Sequence, residues 1–306
     1  MRPNSGGQTP RPTTFAAGTG ERLLGWLLLL VVLILPLCWM VGYAMACSFG
    51  GIGLLSEGWT LQHWQLALSG NRLWRSLLLS SLLAGCSTSL AWLIALWLVI
   101  RSPRLRTDRR LQAVWLLPLS VPQVVLAFLA SVILSRGGVL SRLCWWLGLS
   151  DGVAGFPVLV QDRFSIGLLA AMTVASVPLP VLFMTRVWRA ARIDDYLMVA
   201  CALGAAPGFA VRRVAIPMLW RRSRSLLLLL LLWNFSVWEL PLLLGQQSPR
   251  MLSVLIQQSS GQFVLDERPQ AFVYAAIYLL LAGGVVWKLS AGSERGLGTM
   301  PESGDG

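Results

Sequence analysis

The hydrophobic positions of this chain fall into long, leucine-rich runs that are separated by shorter polar connections. Six of these runs approach the roughly 20 residues that a helix needs to cross the hydrocarbon core of a bilayer. A membrane barrel would instead show short segments that alternate between apolar and polar residues. The pattern therefore predicts an all-α polytopic membrane protein with six transmembrane helices. The predicted spans are Trp26–Ala46, Ser76–Ile100, Ala113–Leu134, Ile166–Val187, Leu226–Leu244 and Ala271–Leu289.

A seventh apolar stretch, Val139–Val160, is interrupted by Gly148, Asp151, Gly152, Gly155 and Pro157. Glycine and proline punctuate helices, and an acidic residue is costly inside hydrocarbon. We therefore expect a re-entrant or interfacial connection here and not a further span.

The composition agrees with burial in lipid. Hydrophobic residues make up 56% of the chain and charged residues 12%, and the mean hydropathy is +0.67. A water-soluble domain carries about 25% charged residues to cover its surface. The composition excludes that class of protein.

Positive charge is concentrated beside the ends of the predicted spans. The chain has 25 Lys and Arg residues against 13 Asp and Glu, for a net charge of +12. Most of these cations share one side of the membrane if both termini lie with the 101–112 and 188–225 connections, and the positive-inside rule makes that side cytoplasmic. Because the arginines flank spans without interleaved aromatic residues, we expect them to contact lipid headgroups, with no nucleic-acid partner. The two basic clusters are Arg101, Arg104, Arg106, Arg109, Arg110 and Arg212, Arg213, Arg221, Arg222, Arg224.

The two ends of the chain differ from the apolar body. Residues 1–20 are rich in Gly, Pro and Thr and are predicted to form a disordered cytoplasmic N-terminus. Residues 21–290 are predicted to form a single transmembrane domain, followed by a flexible cytoplasmic C-terminus over 291–306. The first apolar run ends beside Cys47 in a sequence with a faint likeness to a cleavage or lipidation site. Because this run exceeds the about 7–15 residues of a signal core, we expect an uncleaved span.

Residue types that carry enzyme chemistry are sparse. His63 is the single histidine, and none of the five cysteines forms a C-x-x-C pair. The chain also lacks the G-x-x-x-x-G-K-[ST] loop that cradles nucleotide phosphates. We therefore predict no catalytic residue, metal site or cofactor in this chain.

The connection between the fourth and fifth predicted spans is too ordered in composition for a slack loop. Ile193–Leu203 favours a short helix with acidic residues near its start, and Gly204 supplies a stop and a bend. Pro207 suits the first turn of a second helix that runs to Arg213. Ile216–Pro217 then predicts a break before the chain re-enters the bilayer. Two short helices in this arrangement would form a compact knob that presents a surface to another protein.

The same connection resembles the cytoplasmic loop of permease subunits of type I ABC importers, the binding-protein-dependent transport family. That loop follows E-A-A-x3-G-x9-I-x-L-P, and here Met198-Val199-Ala200 is followed after three residues by Gly204 and after nine more by Val214-Ala215-Ile216-Pro217. The spacing from Gly to Pro matches in full. Met198 departs from the pattern, because the family usually has Glu at that position. The resemblance covers a core over about residues 72–289.

The resemblance implies a bacterial inner-membrane protein with several partners. Two permease subunits, identical or different, would pair, and each would bind a cytoplasmic ABC ATPase through a coupling loop over 189–222. A periplasmic solute-binding protein would deliver the solute, and ATP hydrolysis would take place on the ATPase chains. The predicted coupling-loop residues are Ala200, Gly204, Ala205, Pro207, Phe209, Ile216 and Pro217.

Residues that contact the solute are harder to identify. Glu239 lies in an apolar run, and ionisable groups there tend to face cavities or partners. Asn234 precedes it by a little over one helical turn, so both are candidates for the substrate pathway. Alternatively, Glu239 lies close enough to the interface to be solvated or paired with an arginine. The sequence from Leu240 through Arg250 looks most like permeases of the iron(III), thiamine and polyamine branches.

Two other classes of membrane protein stay open at this stage. A stand-alone secondary transporter would be expected to show inverted repeats and several intramembrane charges. A membrane-embedded enzyme would need clustered catalytic polar residues. Neither feature is evident in the chain, but only a partner ATPase or its absence separates the classes directly.

Overall fold

The structure is a computed structural model, and it describes residues 25–52, 58–149, 155–261 and 268–297. All the regular elements within these residues are helices. Residues 1–20, predicted to be disordered, lie outside the described part, whereas the last helix continues into the C-terminal segment that was predicted to be flexible. The helices are α1 (Gly25–Ser48), α2 (Gln62–Ser69), α3 (Asn71–Arg101), α4 (Pro103–Thr107), α5 (Arg109–Val114), α6 (Leu117–Ser120), α7 (Gln123–Leu134), α8 (Val139–Trp146), α9 (Ile166–Ser176), α10 (Pro178–Ala190), α11 (Ile193–Ala202), α12 (Pro207–Ala210), α13 (Ile216–Ser236), α14 (Glu239–Leu244), α15 (Leu252–Gly261) and α16 (Arg268–Leu297).

Five helical stretches of the described residues are long and apolar enough to cross a membrane, so the chain is a multi-pass membrane protein. Four of them overlap the first, second, fourth and sixth predicted spans, and a fifth overlaps the end of the third. The stretches are Gly25–Ser48, Asn71–Arg101, Gln123–Trp146, Ile166–Ala190 and Pro269–Lys288.

The predicted fifth span, Leu226–Leu244, is not a single helix. Helix α13 starts ten residues earlier, at Ile216, and its first half carries three arginines. It ends at Ser236, because Val237 adopts an extended conformation (ψ 130°) before α14 begins. Pro241 explains the interruption, since its ring would collide with the carbonyl of Val237 in a continuous helix.

The predicted third span also starts too early. The chain from 109 to 120 forms two short helices, and α7 begins only at Gln123, directly after Pro122. The apolar stretch from Val139 opens with the short helix α8, which follows a sharp bend. Gly138 is required at this bend, because a β-carbon there would lie 2.2 Å from the Val132 carbonyl oxygen. Residues 150–154 of the same stretch lie outside the described part.

Two helices continue through a proline because a short π-helical segment precedes it. Leu30–Ile34 is π-helical and ends two residues before Pro36, and Val211–Ala215 is π-helical and ends two residues before Pro217. The wider π-turn makes room where a proline ring would otherwise press on the carbonyl four residues earlier. The break predicted at Ile216–Pro217 is therefore wrong, and the helix runs without interruption from α12 through the π-turn into α13.

Helix α3 is the central element of the bundle and packs against α9, α10, α13 and α15. Its 31 residues make it about 45 Å long. Three buried clusters lie in succession along it, containing Leu73, Leu83 and Val99 respectively. The cluster around Val99 joins α3 to α10 and α13, and it extends to the start of α11. The hydrophobic core therefore extends to the connection between the fourth and fifth predicted spans, at the start of α11.

Candidate protein-docking segment

Residues 189–222 are here called the two-helix segment, which begins at the end of α10, contains the short helix α11 and ends in the continuous helix formed by α12, the π-turn and the start of α13. Arg192, directly before α11, has a left-handed backbone conformation (φ 47°), and Gly204 ends α11 with another (φ +88°). The Gly204 and Ala205 amides donate to the carbonyls of Cys201 and Ala200 over 2.9 and 3.0 Å, which satisfies the end of the helix. The helix stop predicted at Gly204 and the helix start predicted at Pro207 are both confirmed.

The base of the two-helix segment is anchored in the core. Ile193 and Trp188 are fully buried among the residues of the Val99 cluster. Arg106, from the short helix α4, lies with its guanidinium carbon 4.2 Å from the centre of the Trp188 ring. The same guanidinium donates through Nη1 to Asp194 Oδ1 at 3.0 Å. A cation is thereby held between an indole face and a carboxylate, which fixes α4 against the start of α11.

A second contact braces the base from the neighbouring connection. Arg189 Nη2 donates to Gln112 Oε1 at 2.7 Å. Gln112 in turn donates through Nε2 to the carbonyl of Leu105 at 2.9 Å. Side chains of α5 and α10 and the backbone of α4 therefore form one hydrogen-bonded unit. This unit resists displacement of the two-helix segment relative to the bundle.

The far end of the two-helix segment carries an exposed set of large apolar side chains. Leu203 is 84% exposed and Phe209 57% exposed, although both sit in ordered backbone. Arg213 stacks over the Phe209 ring at 5.7 Å from its centre. Exposed apolar side chains on an ordered segment form a candidate surface for another protein. This surface is called the apolar tip and consists of Tyr196, Met198, Val199, Leu203 and Phe209.

The predicted coupling-loop residues divide into two groups. Ala200, Gly204, Ala205, Pro207 and Phe209 lie at or beside the turn between α11 and α12, with the two alanines half-buried and the others exposed.

Ile216 and Pro217 instead lie on the continuous helix that leads back into the bundle. Met198, at the position where the related loops usually carry Glu, is 64% exposed. The acidic residue one turn earlier, Asp194, accepts a hydrogen bond from Arg106, so it contributes to the base of the two-helix segment and not to the apolar tip.

The two residues proposed for the substrate pathway have different surroundings. Asn234 is buried, accepts a hydrogen bond from Ser176 Oγ at 2.9 Å and donates to Thr88 Oγ1 at 3.0 Å. It therefore links α13 to α9 and α3. Glu239 is half-buried at the start of α14, where its carboxylate accepts from the Trp238 amide at 3.2 Å. A carboxylate at a helix N-terminus is favoured by the helix dipole.

Sequence reasoning missed the residues that fix the base of the two-helix segment. The sequence indicates only that Arg106 belongs to a membrane-flanking cluster, and it gives no signal for Gln112. Their partners, Asp194 and Arg189, lie 88 and 77 positions away along the chain. Only the packing of α4 and α5 against α10 brings them together. Among the described residues there is also no group of three His, Cys, Asp or Glu side chains that could hold a metal ion.

Comparison with known proteins adds an independent observation. The chain is 29% identical over 201 residues to a protein of Salmonella typhimurium that carries the name 2-aminoethylphosphonate transport system permease protein PhnV, and 30% identical over 195 residues to its Salmonella typhi counterpart. These matches cover 64% and 63% of this chain, and they span 66% and 65% of the relatives, slightly less than two thirds of their length. No protein-family model matches the chain.

Solved structures show the same fold. One is a bacterial ABC transporter involved in the import of the acidic polysaccharide alginate, of which a chain superposes with a TM-score of 0.65 at 18% identity. The match covers 90% of this chain and 94% of that one. A second is the bacterial alginate ABC transporter in complex with an alginate pentasaccharide-bound periplasmic protein, with a TM-score of 0.66 at 17% identity and coverage of 90% and 93%.

Proposed function

Because the chain is a permease homologue with the fold of ABC importer subunits, we propose that it forms half of the solute pathway of a binding-protein-dependent ABC importer. In this proposal it lies in a bacterial inner membrane with both termini in the cytoplasm. It pairs with a second permease subunit and receives solute from a periplasmic binding protein. ATP hydrolysis takes place on separate ATPase subunits, to which this chain is mechanically connected.

The observation that carries the proposal is the combination of a rigid base and an exposed apolar tip in residues 189–222. An ATPase that changes shape can move the membrane helices only through an ordered contact. The apolar tip supplies the contact surface, and Gly204 allows a partner to approach the backbone without meeting a side chain. The anchored base passes displacement to α3, α10 and α13, because Ile193 and Trp188 are packed among residues of all three helices.

The sequence of events follows from this connection. We propose that closure of two ATP-loaded ATPases pushes the two-helix segments of the paired permeases together. The rigid base converts this movement into rotation of the attached helices, which switches the pathway from inward to outward access. Packed interfaces respond to such small displacements by moving between discrete arrangements, since their interiors are too dense to deform gradually.

The identity of the solute is proposed only at the level of its charge. The relatives are named for 2-aminoethylphosphonate transport and the structural neighbours for import of an acidic polysaccharide, so we propose a solute that carries an acidic group. The resemblance of residues 240–250 to the iron(III), thiamine and polyamine branches stays a competing prediction. Glu239, which is half-buried and borders the start of α14, stays a candidate pathway residue.

The test is association of the purified chain with a purified ABC ATPase subunit. Phe209→Ala removes a side chain that is 57% exposed, so it should leave the fold intact and weaken ATPase binding by about tenfold or more. Gly204→Trp should abolish binding, because it places a large side chain at the exposed turn and strains the left-handed backbone (φ +88°) that ends α11. Phe164→Ala is the matched control, since Phe164 is also exposed (79%) but lies outside the two-helix segment.

Retention of ATPase binding by both Phe209→Ala and Gly204→Trp would show that the docking assignment is wrong. Equal loss in Phe164→Ala would also contradict it, because the effect would then not depend on the apolar tip.

A further inference from the structure

A basic cavity lies at the end of the bundle opposite the two-helix segment. It opens beside Asn71, the first residue of α3, whereas the two-helix segment is packed near the other end of this about 45 Å helix. The cavity volume is about 370 Å³. Its lining includes Arg72, Arg75 and Arg250 but no acidic residue. Within the part of the chain that the structure describes, none of these arginines forms an ion pair.

One arginine of the cavity is held in place by uncharged groups. Arg250 donates through Nη2 to Gln247 Oε1 at 3.0 Å and through Nη1 to Gln258 Oε1. Amide oxygens orient a guanidinium but do not neutralise it. The fork of Arg250 is therefore fixed while its full positive charge stays available to a ligand.

The connection that carries Arg250 is itself fixed at both ends. The Leu252 amide donates to Ser80 Oγ on α3 at 2.7 Å, and Ser253 Oγ donates to the Val237 carbonyl at 2.7 Å. At the other end, Gly245 is required, because a β-carbon there would lie 2.3 Å from the Pro241 carbonyl oxygen. The cavity wall is thus preformed, which lowers the entropic cost of binding.

A buried hydroxyl in the cavity has no partner of its own. Ser76 lines the cavity, is 1% exposed, and its Oγ makes no hydrogen bond with the protein. Ser80, one turn further along α3, is equally buried but accepts the Leu252 amide. An unsatisfied buried hydroxyl is costly, and most such groups have a partner. Ser76 Oγ therefore indicates that a ligand with hydrogen-bonding oxygens completes the cavity.

We propose that this cavity binds the oxyanion group of a small solute, of the phosphonate or phosphate class, at the face where solute enters the pathway. Three guanidinium groups suit a tetrahedral group with two negative charges, and Ser76 Oγ supplies one further hydrogen bond. The N-terminus of the long helix α3 adds a favourable dipole. A cationic solute would be repelled by the same lining. The transport role of the cavity rests on the function proposed above, whereas anion binding does not.

The first experiment measures binding by calorimetry, with the purified full chain in nanodiscs of neutral phosphatidylcholine. Inorganic phosphate and 2-aminoethylphosphonate are the probes. Arg75→Gln and Arg250→Gln should each weaken binding about tenfold, because each removes a charge-assisted hydrogen bond. Arg163→Gln is the matched control and should leave binding unchanged, because Arg163 is exposed and lies outside the cavity.

The second experiment separates a ligand role from a structural one. Ser76→Ala should weaken binding about fivefold without lowering the midpoint of thermal unfolding, because its hydroxyl has no partner in the protein to lose. Ser80→Ala should instead lower the midpoint of thermal unfolding, since it removes the hydrogen bond from Leu252. Loss of stability in Ser76→Ala together with unchanged binding would overturn the assignment.

A third comparison identifies the source of the oxyanion. If phosphatidylglycerol in the nanodisc competes with phosphate, and the arginine variants abolish this competition, the same site accepts a lipid headgroup. If only the soluble probes bind, the site serves the solute. Absence of binding by every probe, or binding that Arg75→Gln and Arg250→Gln do not change, would refute the proposal. None of these measurements requires an ATPase, so their failure is distinguishable from failure of the importer assignment.

Discussion

Replacing Arg106 by methionine would remove the cation–π contact and the ion pair that its guanidinium makes at the base of the two-helix segment. The Arg106 side chain is only 13% exposed and lies 4.2 Å from the centre of the Trp188 ring, so its cation–π contact is largely shielded from water and contributes about 1–2 kcal/mol. Its partner Asp194 is 63% exposed, and an ion pair of this kind contributes about 0.5 kcal/mol. Arg106→Met should therefore destabilise the ordered base by about 2 kcal/mol.

Asp194→Asn should cost much less. Water can replace the exposed carboxylate beside Arg106 Nη1, and the guanidinium stays stacked on Trp188. A loss of about 2 kcal/mol raises the population of the opened base by about 30-fold, and a loss of about 0.5 kcal/mol raises it only about twofold. Arg104→Met is the control, because Arg104 lies on the same short helix but is exposed.

Hydrogen exchange measured by mass spectrometry on the chain in nanodiscs tests this difference. The amides at the C-terminal end of α11 should exchange about 30-fold faster in Arg106→Met and at nearly the native rate in Asp194→Asn and Arg104→Met. Equal acceleration in Asp194→Asn and Arg106→Met would refute the reasoning, because the ion pair and not the indole contact would then hold the base. Unchanged exchange in Arg106→Met would show that the buried packing and the Arg189–Gln112 hydrogen bond hold the base without Arg106.

Two further predictions concern the bundle. Asn234→Leu should lower stability by about 1–2 kcal/mol, because two interhelical hydrogen bonds are lost. Ser236→Ala on the same helix should be neutral, since the Ser236 hydroxyl donates only to carbonyls of its own helix. Equal midpoints of thermal unfolding for the two variants would contradict this prediction. Gly167→Ala should destabilise the folded chain by about 2–3 kcal/mol, because the new β-carbon would lie 1.9 Å from the Leu159 carbonyl oxygen. Gly283→Ala in α16 should stabilise the chain by about 0.5 kcal/mol, because its β-carbon would meet nothing within 4 Å. Similar unfolding midpoints for these two glycine variants would show that the tight contact at Gly167 is not real.

The transmembrane segments could be predicted wherever one apolar run forms one helix. Length and hydropathy carry that signal, and it succeeded for the stretches now described as Asn71–Arg101 and Ile166–Ala190. The prediction failed where backbone geometry interrupts an apolar run. Nothing in hydropathy distinguishes Val237 from its neighbours, although Pro241 forces the helix to end there.

Proline also misled the sequence reasoning in the opposite direction. The sequence predicts a break at Pro217, but the π-turn at Val211–Ala215 accommodates this proline within a continuous helix. The same arrangement precedes Pro36, and in both cases the proline is the second residue after the π-turn. A π-turn forms where the cost of widening one helical turn is smaller than the packing energy that the continuous helix gains. That balance is set by tertiary contacts and is not visible in residue spacing.

In the two-helix segment, too, the local features could be predicted from the sequence and the tertiary contacts could not. The turn at Gly204 and the helix that starts at Pro207 could be predicted, because local residue preferences determine them. The contacts of Arg106, Gln112 and Asn234 could not, since every partner comes from another helix far along the chain. Local rules thus located the two-helix segment, and only the fold revealed how it is joined to the bundle.

The most direct test of the importer assignment is solute uptake in liposomes. The chain is reconstituted with a second permease subunit and an ABC ATPase, with a solute-binding protein added outside. The proposal predicts that uptake requires both ATP and the binding protein, and that Gly204→Trp abolishes uptake while leaving the intrinsic ATPase activity of the nucleotide-binding subunit intact. Solute uptake by this chain alone, driven by an ion gradient without ATP, would contradict the proposal and indicate a secondary transporter.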